Sequence, residues 1–190
     1  DVSGLGSITL AGNHTLFADG TVNGTIDANS GSVISAGTDG GYGTNSITGS
    51  LTLETGALTY FDLGTSASGA NDRITVAGYL TVNNNVIHLK APSTTANLEA
   101  ADYVLFSLPG GISGSFATAP TWDVAPANAA HYSIVSGANT VTLHYSAIAG
   151  PTGSGSATPA SVVRYQNVLI TVTAANGTGG TVNSVTVDAS

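Results

Sequence analysis

Cysteine is absent from this 190-residue chain. Without thiols the chain can form no disulfide framework, no thiolate zinc site and no cysteine nucleophile. Long hydrophobic runs are also missing, because no apolar run approaches the length of roughly 18 residues that a membrane-spanning helix needs, and we expect no transmembrane segment. Stability must therefore come from side-chain packing and from backbone pairing.

Charged residues are scarce, at 7% of the chain. The 3 Lys and Arg residues against 11 Asp and Glu residues give a net charge of -8. The basic residues Arg73, Lys90 and Arg164 lie far apart in sequence. A surface that binds nucleic acid needs clustered Lys and Arg to contact phosphates, so this class of function is excluded.

Glycine, in contrast, is abundant, with 25 residues. Apolar residues alternate with polar ones in short runs, and clusters of Gly, Asn, Asp and Ser separate these runs. Such a pattern is typical of short strands joined by turns. The one helix-like window, residues 94–102, follows Pro92 and precedes strand-forming residues, so we expect a loop there. The sequence therefore predicts an all-β fold.

A strand-turn-strand motif recurs in the first half of the chain. Its first part, Gly-x-apolar-x-apolar, starts at Gly6, Gly24, Gly49 and Gly78, so the spacing widens from one copy to the next. In the two later copies an apolar pair follows four residues behind, at Leu58-x-Tyr60 and Ile87-x-Leu89. Unequal spacing around a constant core is typical of a β-solenoid, in which each repeat forms one rung and the strands stack.

We therefore expect a parallel β-solenoid (β-helix), with rungs over about residues 1–90. Alternation along each strand places one set of apolar side chains in the core. These are Ile8, Leu10, Ile26, Val33, Leu51, Leu53, Leu58, Leu80, Val82, Ile87 and Leu89. Thr9, Thr52 and Thr81 should face water. The turns at residues 55–57 and 83–85 contain Gly and Asn, which tolerate the positive φ expected there.

The pattern changes in the second half of the chain. We expect strands at residues 103–107, 132–135 and 140–145 to belong to a cap, over about residues 91–148, that covers the last rung. Residues 149–160 are rich in Gly, Ser and Pro and predict a linker. Beyond it, strands at residues 161–164, 168–173 and 181–187 predict a partial β-sandwich, because a complete immunoglobulin-like sandwich needs about seven strands.

Two groups of segments resemble a known family. Residues 58–64 and 71–82 resemble the C-terminal rungs of autotransporter-associated β-strand repeat proteins, and residues 103–106, 110–116 and 139–143 resemble the strands that follow them. The resemblance implies a right-handed parallel β-helix in a bacterial surface or secreted protein, and it implies no single ligand or reaction. Residues 159–173 resemble the opening of an immunoglobulin-like module.

The family resemblance leaves the secretion route open, because we see neither a translocating β-barrel domain nor a sorting tail in the sequence. The chain begins with Asp1 instead of an initiator Met, and we therefore expect a processed product or an excerpt of a longer protein. Its partners would then be neighbouring domains of that larger chain or identical subunits.

Three oxygen-bearing residues are candidates for calcium binding. Asp62 and Asp72 flank the loop at residues 64–71, and Asn71 ends that loop. Calcium takes about six to eight hard oxygen ligands, and these side chains could supply some of them. The alternative is that the three residues cap strand ends and turns through backbone N–H groups. The resemblance favours the alternative, because this position recurs in the family without implying catalysis.

The sequence contains few residue patterns typical of catalytic sites, and we expect no enzymatic activity. No two of the four histidines share the spacing that would place two imidazoles on one face, and His88 and His144 should point outward from their strands. No Gly-x-Ser-x-Gly turn lies between a strand and a helix, so a serine hydrolase has no frame here.

Two functions remain. The first is a structural one, in which the solenoid is a stalk, fibre or matrix segment outside a bacterial cell and self-assembles by strand addition. The second is a glycan-binding or adhesin module, in which exposed Tyr42, Tyr79 and Trp122 stack on sugar faces while Asn and Asp bind the hydroxyl groups. Two or more of these aromatics on one open face would favour the second function.

Overall fold

The computed structural model describes residues 6–147, 152–158 and 169–175. The fold is all-β with parallel sheets, with 48% of residues in strands and 2% helical. In the described ranges the helical part is one short 3-10 turn, Ala129–His131. The chain divides into two compact units, Asp1–Ser146 and Ala147–Ser190.

The first unit contains sixteen strands among its described residues. In chain order they are β1 (Ser7–Leu10), β2 (Thr15–Ala18), β3 (Gly20–Val22), β4 (Thr25–Ala28), β5 (Val33–Ala36), β6 (Thr44–Ile47), β7 (Leu51–Leu53), β8 (Leu58–Asp62), β9 (Arg73–Val76), β10 (Leu80–Thr81), β11 (Ile87–Lys90), β12 (Tyr103–Ser107), β13 (Ile112–Ser113), β14 (Thr121–Val124), β15 (Tyr132–Ser136) and β16 (Thr140–Tyr145). The loop expected at residues 94–102 is confirmed, because no helix or strand forms there.

From β1 to β15, every third strand belongs to the same sheet. The first sheet has the order β1-β4-β7-β10-β13, the second β14-β11-β8-β5-β2, and the third β15-β16-β12-β9-β6-β3. Pairing is parallel throughout the first two sheets and between β3, β6, β9 and β12 of the third. We call each set of three consecutive strands, one per sheet, a tier. No sheet closes on itself among the strands described.

The inward-facing side chains of the three sheets form the core of the first unit. In the first sheet, Leu80 pairs in register with Leu51, and both side chains are fully buried. Leu53 and Val82 are also buried, whereas Thr81 beside Leu80 is exposed. The inward positions predicted for these four apolar residues are therefore confirmed, and alternation along each strand is the cause.

Two of the glycines that begin the repeat, Gly49 and Gly78, lie where consecutive tiers touch. The amide of Gly49 donates to the carbonyl of Gly24 at 3.0 Å, and the amide of Gly78 donates to the carbonyl of Gly49 at 2.9 Å. A methyl group on Gly49 would collide with the Gly24 carbonyl, and one on Gly110 would collide with the Gly78 carbonyl. Glycine thus recurs because the backbones approach too closely for any side chain.

The turns between the first and second sheets have the predicted backbone conformations. Gly56 has φ +87° and Asn84 has φ +54°. The buried side-chain amide of Asn85 donates to the carbonyls of Glu54 and Ala57 in the preceding tier, at 2.8 and 3.0 Å. These hydrogen bonds therefore connect the Asn-rich turn to the corresponding turn of the preceding tier.

The second sheet corrects part of the predicted core. Ile87 pairs with Thr59 instead of Leu58, so the second half of the repeat is shifted by one residue. The inward residue of β5 is Ile34, which is fully buried, whereas Val33 and Leu58 are only partly buried. The turn before β11 is one residue shorter than the turns before β5 and β8, and a one-residue slip moves each side chain to the opposite face.

The parallel ladders also extend further than the predicted rungs. We expected rungs to end near residue 90, but β12 pairs with β9, β13 with β10 and β14 with β11, all in parallel. Only β15 and β16 form an antiparallel hairpin within the first unit's described strands, and β16 also pairs antiparallel with β12. The predicted boundary was wrong because β13 has only two residues, too few to show alternation.

The second unit, described by itself, contains strands β17 (Thr152–Thr158) and β18 (Leu169–Ala175), which pair antiparallel. Most of the segment predicted as a linker, residues 149–160, is therefore a strand. Small residues such as Gly and Ser still carry backbone donors and acceptors, and β18 satisfies them. The strand expected at residues 168–173 corresponds to β18, and those at 161–164 and 181–187 lie outside the described residues.

Candidate functional site

A groove runs across the outer face of the second sheet. Its volume is about 510 Å³, within the range of about 300–1,000 Å³ that is common for ligand-binding clefts. Its lining comes from all five strands of the sheet and from the segment after β5. The lining residues are Thr15, Phe17, Val33, Ser35, Asp39, Tyr60, Phe61, Asp62, Lys90, Asp123 and Val124.

The strand register aligns two aromatic side chains along the groove. Phe17 of β2 pairs with Ser35 of β5, which pairs with Tyr60 of β8, which pairs with His88 of β11. Ser35 is 4% exposed while Phe17 is 53% exposed. The small serine thus forms a low floor between the two aromatic rings.

Tyr60 is held in place by its neighbours on the next strands. The imidazole of His88 stacks on the Tyr60 ring with the centroids 4.5 Å apart, and its Nδ1 lies 3.1 Å from Oδ1 of Asp123. Burial and the Asp123 carboxylate raise the pKa of the Tyr60 phenol, so the hydroxyl is neutral at physiological pH. A neutral phenol can both donate a hydrogen bond to a ligand in the groove and accept one from it.

The charge of the groove is negative. Asp39, Asp62 and Asp123 contribute carboxylates, and Lys90 contributes the one ammonium group of the lining. Lys90 Nζ lies 2.6 Å from Oδ1 of Asp39 and 3.9 Å from Oδ1 of Asp62. The hydrogen bond from Lys90 to Asp39 raises the pKa of the ammonium group, so Lys90 stays charged.

The segment at residues 37–43, which we call the wall loop, bounds the groove on one side and supplies Asp39. Two carboxylates fasten it to the body of the sheet. Asp62 Oδ2 accepts from the amide of Gly40 at 2.9 Å, and Asp72 Oδ1 accepts from the amide of Gly43 at 2.8 Å. Burial raises the pKa of Asp62, and it raises that of the fully buried Asp72 to about 7.

The three calcium candidates have backbone partners. Asp72 Oδ2 accepts from the amide of Asp62, and Asn71 Oδ1 accepts from the amide of Gly64, both at 2.8 Å. The Asn71 amide group donates to three carbonyls inside its own loop. Asp62 binds the wall loop as described above. These contacts support the alternative, in which the three residues cap strand ends and turns.

Two wider surveys cover only the residues that the structure describes. Within that part of the chain, no group of three or more His, Cys, Asp or Glu is placed to share a metal ion. The same residues include no helix with the length and apolar character needed to cross a membrane.

The three aromatics predicted for glycan binding lie at separate places in the fold. Tyr79, 64% exposed, precedes β10 of the first sheet, and Tyr42 lies between β5 and β6 with its hydroxyl 3.5 Å from the Leu63 carbonyl. Trp122 pairs with inward-facing Leu89 and packs edge-on against Tyr132. The core contact of Trp122 follows from its register on β14, which faces its ring away from the groove.

Comparison of the chain with protein-family models, with curated proteins and with solved structures gave no match. The resemblance to autotransporter-associated repeats accordingly stays a prediction.

The sequence analysis missed the aromatic row of the groove. Phe17, Ser35, Tyr60 and His88 are register partners on successive strands, and their spacing in the chain nearly follows that of the repeat itself. The signal was therefore present in the repeat, but the motif Leu58-x-Tyr60 was aligned with Ile87-x-Leu89 and Leu58 was placed in the core, which set the register of β8 one residue out. Outward positions of aligned strands would have identified the row.

Proposed function

We propose that this chain is a non-enzymatic structural segment of a bacterial surface or secreted protein, built as a right-handed parallel β-solenoid. The observation that carries the proposal is the sheet order, in which each sheet takes every third strand from β1 to β15. A chain that visits three sheets in turn and then stacks on itself winds as a coil. Crossover connections between parallel strands are right-handed in nearly all proteins, which supports the handedness.

Stiffness follows from this architecture. Each tier lies about 4.8 Å from the next, and its side chains continue the core of its neighbours. The contacts between Gly24, Gly49 and Gly78 hold consecutive tiers at backbone distance. A coil of this kind bears load along its axis through many parallel hydrogen bonds, as a stalk, fibre or matrix segment requires.

The two ends of the coil differ. At one end the β15–β16 hairpin adds antiparallel strands to the third sheet, whereas β13 and β14 there each have one strand neighbour among the strands described. At the other end β1, β2 and β3 each have one strand neighbour among the strands described. Exposed strand edges are ready to pair with another chain segment. This supports further domains of a longer chain as partners at this end.

Force spectroscopy tests the load-bearing role. Because the chain has no cysteine, Ser7→Cys and Ser113→Cys place unique handles on the two edge strands of the first sheet. Register partners in this sheet are separated by one full repeat of the chain. Releasing a repeat of roughly 20 to 30 residues should therefore extend the chain by about 60–110 Å. Unfolding with no resolved force peak would contradict the proposal.

Antibody labelling tests the location. An antibody against the first unit should label intact cells of the bacterium that produces the protein, or the material that surrounds them. Labelling that requires permeabilised cells would exclude a surface or secreted role.

A further inference from the structure

We propose that the groove on the outer face of the second sheet binds an uncharged oligosaccharide. This inference goes beyond the structural role, and it uses a set of residues that does not include Tyr42, Tyr79 or Trp122. Its basis is the combination of aromatic faces, hydrogen-bonding groups and charge that the five strands bring to one surface.

The shape of the groove suits a chain of sugar rings. Phe17 and Tyr60 lie on either side of Ser35, two strand spacings apart, or about 9–10 Å. Sugar rings have apolar C–H faces that pack on aromatic rings, and an extended oligosaccharide passes from one aromatic to the next. Because the groove crosses all five strands, it is long enough for more than one ring.

Polar groups surround these aromatics and can bind the hydroxyl groups at the edge of a sugar ring. Ser35 is 4% exposed and lines the groove floor between Phe17 and Tyr60. Its hydroxyl can both donate a hydrogen bond to a ligand hydroxyl and accept one from it. Asp62 and Asp123 are acceptors and Lys90 is a donor, which matches the mixed donor and acceptor character of sugar hydroxyls.

The charge of the groove selects among saccharides. Three carboxylates face one ammonium group, and that group is already bonded to Asp39 at 2.6 Å. An acidic sugar would place its carboxylate or sulfate against like charges without a free cation in the lining to neutralise it. The groove therefore discriminates against acidic polysaccharides and favours uncharged ones.

The groove is also organised before a ligand arrives. His88 stacks on Tyr60 and binds Asp123, which restricts the Tyr60 ring. Asp62 binds the Gly40 amide and so fixes the wall loop next to the groove. Groups held in advance lose little conformational freedom when a ligand binds, which raises affinity.

The test is isothermal titration calorimetry of the full chain with four uncharged tetrasaccharides, namely cellotetraose, mannotetraose, maltotetraose and N-acetylchitotetraose. Tetragalacturonic acid is the acidic probe. We expect at least one uncharged probe to bind and the acidic probe not to bind. Tyr60→Ala and Phe17→Ala should each weaken binding roughly tenfold, because each removes one stacking face. Tyr79→Ala removes an exposed tyrosine from a different sheet and should leave binding unchanged.

Several results would overturn the proposal. These are failure of all four uncharged probes to bind, tighter binding of the acidic probe, or binding that neither groove variant weakens. If a variant does not fold, amide chemical-shift mapping of the unaltered chain with the bound probe decides, since shifts must then cluster on β2, β5, β8 and β11. If the oligosaccharide proposal fails, the proposed load-bearing role still stands, because resistance to force does not depend on ligand binding in the groove.

Discussion

The amide of Gly78 donates a 2.9 Å hydrogen bond to the carbonyl of Gly49, one tier away. A methyl group built on Gly78 would lie 2.8 Å from the carbonyl carbon of Gly49 and 2.5 Å from Oγ of Ser50. Both distances are shorter than a side-chain carbon can adopt next to another atom. Close contact between tiers therefore explains the glycine of the sequence repeat at Gly49 and Gly78.

The first prediction is that Gly78→Ala destabilises the chain. The added methyl group must push the two tiers apart, and overpacking of this kind costs about 1–3 kcal/mol. Urea denaturation followed by fluorescence of Trp122, the single tryptophan, measures the free energy of unfolding. Gly69→Ala is the control, because its nearest contact is a loop carbonyl at 3.2 Å, and it should cost less. Equal losses in the two variants would contradict the glycine contact.

The second prediction compares two adjacent residues of β10. Leu80 is fully buried between Leu51 and Ile112, whereas Thr81 is exposed. Leu80→Asp places a charge in the core without a partner and should cost about 4 kcal/mol or more. Thr81→Asp should change stability by no more than about 0.5 kcal/mol. Melting temperatures from circular dichroism measure both, and equal shifts would refute the alternation assigned to this strand.

The third prediction concerns pH. Burial is the main cause that raises the pKa of Asp72 to about 7 from its ordinary 3.8, and the nearby carboxylates of Asp62 and Asp19 add to the rise. Between pH 4 and 7 the unfolded chain is ionised at this residue while the folded chain holds the proton. Asp72 therefore contributes most to the free energy of unfolding below pH 4. This contribution falls as the pH rises from 4 to 7 and is lost above pH 7, and the total loss is at most about 4 kcal/mol.

Asp72→Asn isolates this contribution, because asparagine does not titrate. The variant should lose stability overall, since its NH₂ group must face one of the amides of Gly43 and Asp62 that Asp72 accepts from. Its free energy of unfolding should nevertheless depend less on pH between 4 and 7 than that of the unaltered chain. Urea midpoints at several pH values measure the two slopes, and parallel slopes would contradict the raised pKa.

The sequence predicted the first sheet well and the second sheet less well, for a physical reason. The pattern Gly-x-Leu-x-apolar has the same spacing at β7 and β10, so the register of Leu51 and Leu80 could be read directly from the sequence. In β8 both faces carry large residues, and alternation alone could not tell whether Thr59 or Leu58 faces inward. The turn before β8 is one residue longer than the turn before β11, and only the pairing of β8 with β11 reveals the difference.

The groove was beyond sequence analysis for a related reason. Phe17, Tyr60 and Asp123 come from three strands that lie far apart in the chain, and only the stacking of tiers brings them to one surface. Asp62, in contrast, was found from its position next to a loop, although its partner turned out to be the Gly40 amide. Local sequence indicates which residues are polar and exposed, whereas register decides which of them meet.

The last prediction concerns assembly of the second unit. Its described part is a two-stranded antiparallel sheet, β17 with β18, and a two-stranded sheet is marginally stable alone in water. Val172 of β18 is a large exposed apolar side chain, at 39% exposure. We expect the full chain to associate at micromolar concentration through this sheet, by pairing β17 or β18 with a strand of another copy. A chain that ends after Gly150 should be monomeric in sedimentation velocity, and Val172→Lys should weaken association without removing a strand. A monomeric full chain, or association that persists in the truncated chain, would show that β17 and β18 do not mediate it.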